Sequence, residues 1–264
     1  MTALAARDVP AALFGSATAR YRALTAWDAA LRAAVPTTHR IGVVSLAPGA
    51  GTTTLTEQVL RVVAARRRDP VLVVDSSPDG GGVAARLGAA VTPPDDGRLR
   101  ARSSADAVRG LTRGDGWVAL RPHPTDSVVA AWLGEAAPIA RFFDVTLTDF
   151  GACPPRGELA AIAALCDVVC LVSDGTRASA EVARGVAPAI EALPERPRTV
   201  LALVDHAGHG SAVARALSGD PRPVIRIPRD SGLASRGRPR STAARAALLR
   251  LAAALLGGTR EPAA

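Results

Sequence analysis

Short apolar runs alternate along the chain with longer segments that mix apolar and polar residues. The runs are rich in Val, Ile and Leu, and the segments between them repeat apolar residues at helical spacing. Such an alternation indicates parallel strands joined by helices that cover both faces of a sheet. We therefore predict an α/β fold with a doubly wound, mostly parallel sheet in a three-layer α/β/α arrangement. The seven predicted strands are residues 41–46, 71–75, 117–122, 145–149, 168–174, 199–205 and 223–228.

The same pattern divides the chain into a leader, one domain and a tail. The predicted domain covers residues 40–257, and the tail covers residues 258–264. Residues 89–115 interrupt the pattern with prolines, glycines and many charges, so we expect a flexible insertion that lies outside the core. The predicted helices are at about 53–68, 82–88, 125–141, 157–166, 177–192, 210–218 and 241–256.

The leader, residues 1–39, contains one predicted amphipathic helix at about 17–35. Its apolar residues Tyr21, Leu24, Leu31 and Val35 lie near one another at helical spacing. Because an apolar helix face needs a surface to pack against, we expect this helix to dock on the domain or on a partner protein.

The composition is that of a globular protein without a membrane segment. Hydrophobic residues make up 48% of the 264 residues and aromatic residues only 3%, so Ala, Val and Leu must fill the core. No apolar run approaches the roughly 18 residues that a membrane span requires. The N-terminus lacks the basic segment followed by an apolar one that marks a secretory signal. We therefore expect a cytoplasmic protein.

Residues that form disulfides or bind metals are few. Cys153, Cys166 and Cys170 are odd in number and lack paired metal-ligand spacing, so buried, reduced thiols are expected. His206 and His209 lie in one loop segment. Two interpretations of this pair stay open, namely incidental loop histidines or a pair that binds a metal.

The cationic side chains are all arginines, since the chain has 32 arginines, no lysine and a formal net charge of +8. This balance favours polyanionic neighbours such as nucleic acid, phosphate ligands or an acidic membrane face. Seven of the arginines lie close together near the end of the sequence, at positions 226, 229, 236, 238, 240, 245 and 250. This stretch belongs to a closing helix that packs on the sheet, to a contact with DNA or an acidic partner, or to a membrane surface. Since no aromatic residue interleaves it, only weak, non-specific nucleic-acid binding is expected.

The first predicted strand runs into a glycine-rich turn and a helix, as IGVVSLAPGAGTTT. A phosphate-binding loop, GxxxxGK[ST], uses glycines to turn backbone N–H groups towards phosphates, a lysine to contact them and a hydroxyl to hold Mg²⁺. Here Thr52 replaces the lysine and Thr53 supplies the hydroxyl. Backbone N–H groups at a helix N-terminus still favour an anion, although a plain glycine turn is the alternative. The predicted nucleotide-binding residues of this loop are Pro48, Gly49, Ala50, Gly51, Thr52, Thr53 and Thr54.

Three further loops follow the carboxyl ends of strands, the edge at which open α/β sheets bind ligands. Asp75, with Asp79 four residues later, follows the second strand and is the candidate for a catalytic role on Mg²⁺ or water. Asp149 follows the fourth strand, where a carboxylate that holds Mg²⁺ is expected together with Thr53. Late in the sheet, a pocket for the base of a nucleotide is expected at Asp205, Pro228 and Asp230.

The order of these segments resembles the MinD/ParA family of deviant P-loop ATPases. The segments that carry the resemblance are IGVVSLAPGAGTTT, VLVVDSSPDGG, FFDVTLTDFG, VVCLVSD, TVLALVD and VIRIPRDSGLASRGRP, within residues 40–255. The actinobacterial branch found beside type VII secretion systems is the most similar. The resemblance implies a P-loop NTPase fold, ATP and Mg²⁺ as cofactors, a nucleotide-switched homodimer and a protein partner.

The chain departs from this family at positions that the resemblance assigns to charge and hydrolysis. Ala47 and Thr52 stand where the family has a signature lysine and a second, phosphate-binding lysine. Ser77 stands where a D-x-D motif that begins at Asp75 has its second aspartate, and Asp205 where an asparagine commonly contacts adenine. Loss of a phosphate-contacting cation removes several kcal/mol of transition-state stabilisation.

We therefore expect a degenerate P-loop protein, more a pseudo-ATPase than a competent enzyme, that positions or regulates a partner machine. Three states stay open: competent hydrolysis, nucleotide binding without useful turnover, and a nucleotide-free scaffold. One alternative function is an active ATPase that works as a nucleotide-switched dimer, with Arg229 or a partner's arginine in place of the lysine. The other is a non-specific DNA-binding protein of the partition type.

Overall fold

The computed structural model describes residues 8–35, 37–78, 81–154, 157–208 and 210–257, with the backbone alone for residues 8–16. Asp79, His209 and the predicted tail lie outside the described residues. The described part of the chain forms one sheet of eight strands in the order β3-β4-β2-β5-β1-β6-β7-β8. The strands are β1 (His39–Ser45), β2 (Val71–Asp75), β3 (Thr112–Gly114), β4 (Trp117–Leu120), β5 (Val145–Ala152), β6 (Val168–Ser173), β7 (Arg198–Val204) and β8 (Val224–Ile227).

Every pairing in this sheet is parallel except that of β3 with β4. The predicted doubly wound α/β fold is confirmed, but the predicted number of seven strands is wrong. The eighth strand, β3, is only three residues long and two of them are exposed, so it has no apolar run. A turn with Gly116 at a φ of 73° joins it to β4, a conformation that suits glycine.

Helices cover both faces of the sheet. A π-helical turn, Trp132–Ala136, joins two of them into one continuous helical segment. The helices are α1 (Asp8–Arg32), α2 (Thr52–Ala64), α3 (Val83–Arg86), α4 (Asp96–Leu99), α5 (Ser104–Ala107), α6 (Val128–Ala131), α7 (Ala137–Ala140), α8 (Leu159–Ala164), α9 (Arg177–Glu191), α10 (Gly210–Ala216), α11 (Ser231–Ala234) and α12 (Thr242–Leu255). Among the described helices, none has both the length and the hydropathy needed to cross a bilayer.

Two large hydrophobic clusters fill most of the space between sheet and helices, one on each face, and a third, small one includes Leu203 and Leu217. Val43 belongs to the cluster beneath α2 and α12, and its neighbour Val44 belongs to the opposite cluster with Trp132 and Ile162. Successive strand residues point to opposite faces, so a strand covered on both sides needs apolar residues at nearly every position. This explains why the central strands read as continuous apolar runs.

The segment 89–115 packs on the domain, and the expectation that it lies outside the core is wrong. Ala107 and Leu111 belong to the same hydrophobic cluster as Trp132. The side chain of Arg98 is only 1% exposed, and its guanidinium donates to the backbone oxygens of Pro93 and Arg109. Buried arginine is tolerated where its N–H groups find acceptors.

The leader helix α1 docks on the domain, one of the two outcomes expected. It packs against α12, with Leu31 buried and Trp27 half-buried at the contact. Tyr21 is 71% exposed, so its predicted place on the packed face is wrong. Asp28 accepts a hydrogen bond from Arg66 at 2.7 Å, which ties α1 to the residues that follow α2.

The connections place one crevice at the carboxyl edge of the sheet. β1 and β6 are neighbours, but α2 leaves β1 towards β2 whereas α9 leaves β6 in the opposite direction, towards β7. Adjacent strands whose connections diverge leave a crevice outside their carboxyl ends, which is where open α/β sheets bind ligands. The loop after β1 lies at this position.

Candidate functional site

The loop between β1 and α2, residues 46–51, has the geometry of an anion site. Gly49 and Gly51 have φ values of 81° and 94°, in the left-handed region that favours glycine. The Ser45 hydroxyl donates to the Ala47 carbonyl at 2.9 Å and helps to fix the start of the loop. Gly51 is the N-cap of the 13-residue helix α2 and makes no side-chain cap bond. The first N–H groups of α2 therefore point towards the crevice and favour a phosphate.

The predicted loop residues differ in how they face this site. Pro48 and Gly49 are exposed, Ala50 is buried, and Thr53 and Thr54 are half-buried. Thr52, at the position of the missing lysine, is 6% exposed. Thr52 is the first residue of α2 and brings no cation to this position.

Asp149 ends up beneath the loop with one oxygen unsatisfied. Its Oδ1 accepts the Gly151 N–H at 3.0 Å, whereas its Oδ2 is buried and has no hydrogen-bond partner among the described residues. Burial raises the pKa of Asp149 to about 6, and the Thr53 hydroxyl interacts with the carboxylate and opposes that rise. The charge of Asp75, its neighbour across β2 and β5, adds to it.

Asp75 is held by the backbone that follows it. Its carboxylate accepts N–H bonds from Ser77 at 3.2 Å and Ala84 at 3.0 Å. Gly82 lies so close that a Cβ there would be 1.9 Å from Asp75 Oδ1, so the glycine permits this contact. Burial raises the pKa of Asp75, and these two N–H groups oppose the rise. The carboxylate therefore positions the start of α3, which restricts its use as a base towards water.

The donors at the base of the loop fit Mg²⁺ in part. The orphaned Asp149 Oδ2 and the Thr53 hydroxyl are oxygen donors of the kind that Mg²⁺ prefers. Nowhere in the described ranges do three or more His, Cys, Asp or Glu side chains cluster as metal ligands. Mg²⁺ usually takes one or two protein ligands and completes its shell with water and phosphate oxygens, so two protein donors lie within its usual range.

A second part of the site is a cavity of about 180 Å³ beside the loop. Gly51 and Thr54 line it on the loop side, and the ends of β7 and β8 line it opposite. The predicted residues Asp205, Pro228 and Asp230 all line this cavity. The structure thus brings the residues predicted for a base pocket next to the loop predicted to bind phosphate.

The two aspartates of this cavity are already engaged within the chain. Asp205 accepts from the Gly208 N–H at 2.7 Å through one oxygen and pairs with Arg226 at 3.0 Å through the other. Burial raises the pKa of Asp205, but the N–H groups of Gly210 and Gly208 and the Arg226 guanidinium hold it below its usual range. A contact between Asp205 and an adenine amine stays a prediction, and it would have to share these oxygens.

Asp230 is the most strongly bound of the acidic groups. Its two oxygens accept from the backbone N–H groups of Gly232, Leu233, Arg240 and Ser241. These bonds outweigh burial and hold the pKa of Asp230 well below its usual range. Asp230 thereby caps α11 and fastens the loop that leads into α12.

Two side chains that were not predicted for the nucleotide site, His206 and Arg86, connect parts of it. His206 Nε2 lies 3.4 Å from the Ala50 carbonyl, and its ring lines the cavity next to Gly51. Arg86 donates to the Thr54 hydroxyl at 2.8 Å. The place of His206, two residues after the end of β7, is a usable sequence signal, whereas no local pattern brings Arg86 to Thr54, 32 residues away.

Comparison with known proteins identifies the fold. No family model matches the chain, and no curated protein is significantly similar to it. The ParA family ATPase from Chlorobium tepidum has a TM-score of 0.62 and 18% identity, covering 82% of this chain and 98% of that chain. The cell division ATPase MinD from Pyrococcus furiosus has a TM-score of 0.61 and 19% identity, covering 81% and 97% respectively.

A third similar structure contains ligands. The cobyrinic acid a,c-diamide synthase from Mycobacterium smegmatis, solved with a bound ATP analogue and magnesium, has a TM-score of 0.55 and 20% identity, covering 81% of this chain and 93% of that chain. At these identities the similarity shows the fold alone. The chain thus has the α/β fold of the MinD/ParA P-loop ATPases.

Proposed function

We propose that this chain is a degenerate MinD/ParA-like P-loop protein that binds a nucleotide and positions or regulates a partner machine, with weak or no ATP hydrolysis. The observation that carries the proposal is that the predicted phosphate site keeps its backbone and oxygen donors but lacks its cations. The site keeps its glycine turn, its helix N-terminus and an unsatisfied Asp149 oxygen. The two positions that would supply cations are Ala47 and the buried Thr52.

The binding half of the proposal rests on the donors around the loop. Phosphates would lie against the N-terminus of α2, and the base would enter the cavity next to Gly51 and Thr54. Thr53 and Asp149 would hold Mg²⁺, which when bound neutralises phosphate charge. Asp149 must be ionised for this role, so its raised pKa links binding to pH.

The case against efficient turnover rests on what the residues cannot supply. Phosphoryl transfer is accelerated by positioning and by charge that stabilises the transition state. Without a lysine in the loop, that charge has to come from elsewhere. Asp75 is committed to the N–H groups of Ser77 and Ala84, and Ser77 itself offers no carboxylate to orient water.

Similarity of fold supports the regulatory part of the proposal. The MinC:MinD cell division protein complex from Aquifex aeolicus has a TM-score of 0.62 and 19% identity to this chain, covering 86% of it and 98% of that chain. That complex joins a protein of this fold to a protein partner. We propose a comparable arrangement for this chain, in the cytoplasm and as a homodimer or with a partner. A type VII secretion system is the favoured machine, on the strength of the sequence resemblance.

The proposal is tested by thermal unfolding with ATP or ADP and Mg²⁺, together with phosphate release. We expect a rise in melting temperature, because a ligand that binds only the folded state stabilises it. Thr53→Val should remove the Mg²⁺-dependent part of the rise, whereas the matched variant Thr25→Val on α1 should keep it. Thr52→Lys should enlarge the rise. No shift at millimolar nucleotide would contradict binding and favour an empty scaffold.

One observation favours the active-enzyme alternative. Arg229 is exposed and lines the cavity beside the loop, so it is the chain's own candidate to replace the lysine. Clear phosphate release that is lost in both Arg229→Gln and Asp149→Ala would establish this alternative. We expect negligible release in the unmodified chain.

A further inference from the structure

A larger cavity lies on the helical face of the domain, apart from the residues of the phosphate loop. It measures about 740 Å³ and is lined by residues of α1, α2 and α12, with the turn between β3 and β4 at one side. None of residues 46–54 lines it. We call this cavity the three-helix groove.

Part of the groove wall is apolar. Leu24 of α1, Val62 of α2, and Leu248 and Leu249 of α12 line it, together with the half-buried ring of Trp117. On α1 and α2 the lining residues recur at the i, i+4 spacing that places side chains on one helix face. Leu248 is itself buried in the core, whereas Leu24, Val62, Leu249 and Trp117 are half-buried and keep part of their apolar surface in the groove.

Arginines from all three helices surround this apolar lining. They come from α1, from α2 with the residues after it, and from α12 with the loop before it. Among the side chains that the structure describes, Asp115 is the only carboxylate lining the groove. The five arginines are Arg20, Arg61, Arg66, Arg238 and Arg245.

Only part of this positive charge is neutralised within the described residues. Arg61 pairs with Glu57 at 2.8 Å, and Arg66 pairs with Asp28 at 2.7 Å. Arg20, Arg238 and Arg245 have no ion pair in the described part of the chain, although Arg245 donates to the Arg240 carbonyl. Cations that converge on an apolar surface without counter-charges repel one another and favour an anionic occupant.

We propose that the three-helix groove docks an acidic amphipathic helix of a partner protein. The helix-in-groove mode of recognition places an apolar stripe on an apolar lining and leaves flanking side chains at the rim. Acidic residues beside such a stripe would meet Arg20, Arg238 and Arg245. A nucleic acid offers phosphates but no apolar stripe to cover Leu24, Val62 and Leu249, so the apolar lining favours the protein partner.

The groove also shares a wall with the candidate nucleotide site. Gln58 and Leu248 line both cavities, and the Gln58 amide donates to the Gly237 carbonyl at 3.2 Å. Helix α2 therefore carries the phosphate loop at its start and the groove along its side. The docking proposal itself does not require that a nucleotide binds.

The test uses a fluorescent 18-residue helical peptide with leucines at i, i+3, i+4 and i+7 and glutamates beside them. Anisotropy is measured against the full chain at physiological salt. A scrambled peptide of the same composition and a 20-base-pair duplex DNA serve as comparison probes. We expect the amphipathic peptide to bind and Arg238→Glu/Arg245→Glu to weaken it roughly tenfold.

The matched control is Arg184→Glu/Arg215→Glu, which reverses two exposed arginines on α9 and α10 and changes the net charge equally. It should bind as the unmodified chain does, and unchanged melting temperatures would show that both variants fold. Equal binding of the scrambled peptide, equal weakening in the control, or no peptide binding would each overturn the proposal. DNA that binds more tightly than the peptide and is lost in the groove variant would assign the groove to nucleic acid instead.

Discussion

The acidic groups at the carboxyl edge of the sheet differ in their hydrogen-bond partners and in the direction of their pKa shifts between the two halves of the sheet. On one side of the phosphate loop, Asp149 keeps a buried oxygen without a partner, and its pKa is raised to about 6. On the other side, Asp230 accepts from four backbone N–H groups and Asp205 is paired with Arg226, and both have lowered pKa values.

This contrast distinguishes two roles that look alike in sequence. A carboxylate whose acceptor sites are filled by the chain stabilises the fold and is stabilised by it. A carboxylate that is buried with a vacant acceptor site destabilises the fold and favours a proton or a cation. By this criterion Asp230 and Asp205 hold the loops around the smaller cavity in place, and Asp149 is the group that fits the proposed Mg²⁺ role.

The largest effect is expected at Asp230. Asp230→Asn keeps the shape but replaces one acceptor oxygen by a donor, which would face the N–H groups of Arg240 and Ser241. We expect a loss of about 3 kcal/mol in the free energy of unfolding. Urea denaturation at pH 7 measures it. Asp69 is exposed, so the control Asp69→Asn should change the free energy of unfolding by less than about 0.5 kcal/mol. An equally small change for Asp230→Asn would contradict the stabilising role of Asp230.

At Asp149 the same substitution should change the free energy of unfolding in the opposite direction. Asp149→Asn removes a charge that burial disfavours, so we expect a gain on the order of 2 kcal/mol at pH 7, with loss of any Mg²⁺-dependent stabilisation. Because its pKa is raised from 3.8 to about 6, the folded state binds more protons than the unfolded state between these values. The contribution of Asp149 to the free energy of unfolding therefore falls as pH rises from about 4 to about 6.

Denaturation curves of the unmodified chain and of Asp149→Asn between about pH 4 and pH 7 separate the contribution of Asp149 from that of the other titrating groups. The difference between the two proteins should grow in favour of the variant as pH rises through about 6. A destabilised Asn variant at pH 7 would show instead that the carboxylate is satisfied in the folded protein.

The smallest effect is expected at Arg226. Arg226→Gln leaves the Asp205 carboxylate with its backbone donors but without its ion-pair partner, and we expect a loss of about 1 kcal/mol at pH 7. The lowered pKa of Asp205 means that its carboxylate stabilises the fold at pH values above its pKa in the unfolded chain, and this stabilisation is lost as the pH falls. Because the variant lacks part of this stabilisation, its acid unfolding should begin at a higher pH. Arg177→Gln breaks an exposed i, i+4 pair with Glu181 and should have little effect on either measurement.

The fold followed from the sequence because apolar periodicity is a local signal. Seven of the eight strands lie within or close to the predicted runs, and the loop after β1 is positioned by its glycines. The placement of Asp75, Asp149 and Asp205 at one edge of the sheet followed in turn from the rule that parallel strands end on one side. Their chemical roles did not follow, because these depend on which donors reach them.

Those donors come from distant residues. Arg240 and Ser241 reach Asp230 across 10 and 11 positions, and Arg226 reaches Asp205 across 21. The burial of Arg98 likewise depends on two carbonyls that a composition rich in charge does not reveal. The predicted packed face of α1 is wrong at Tyr21, because the face that packs is the one that carries Trp27 and Leu31. These two residues contact the cluster that contains α12, a helix more than 200 residues away in the sequence.

The contact between α1 and α12 has a consequence for how the chain is made. Leu251 and Leu255 of α12 are fully buried in the same cluster as Leu31, and His39 bonds the Leu255 carbonyl across 216 residues. During synthesis, this part of the core stays open until residue 255 has emerged from the ribosome. The core around Leu31 therefore closes only after α12 has been made, and until then α1 lacks this part of its packing surface.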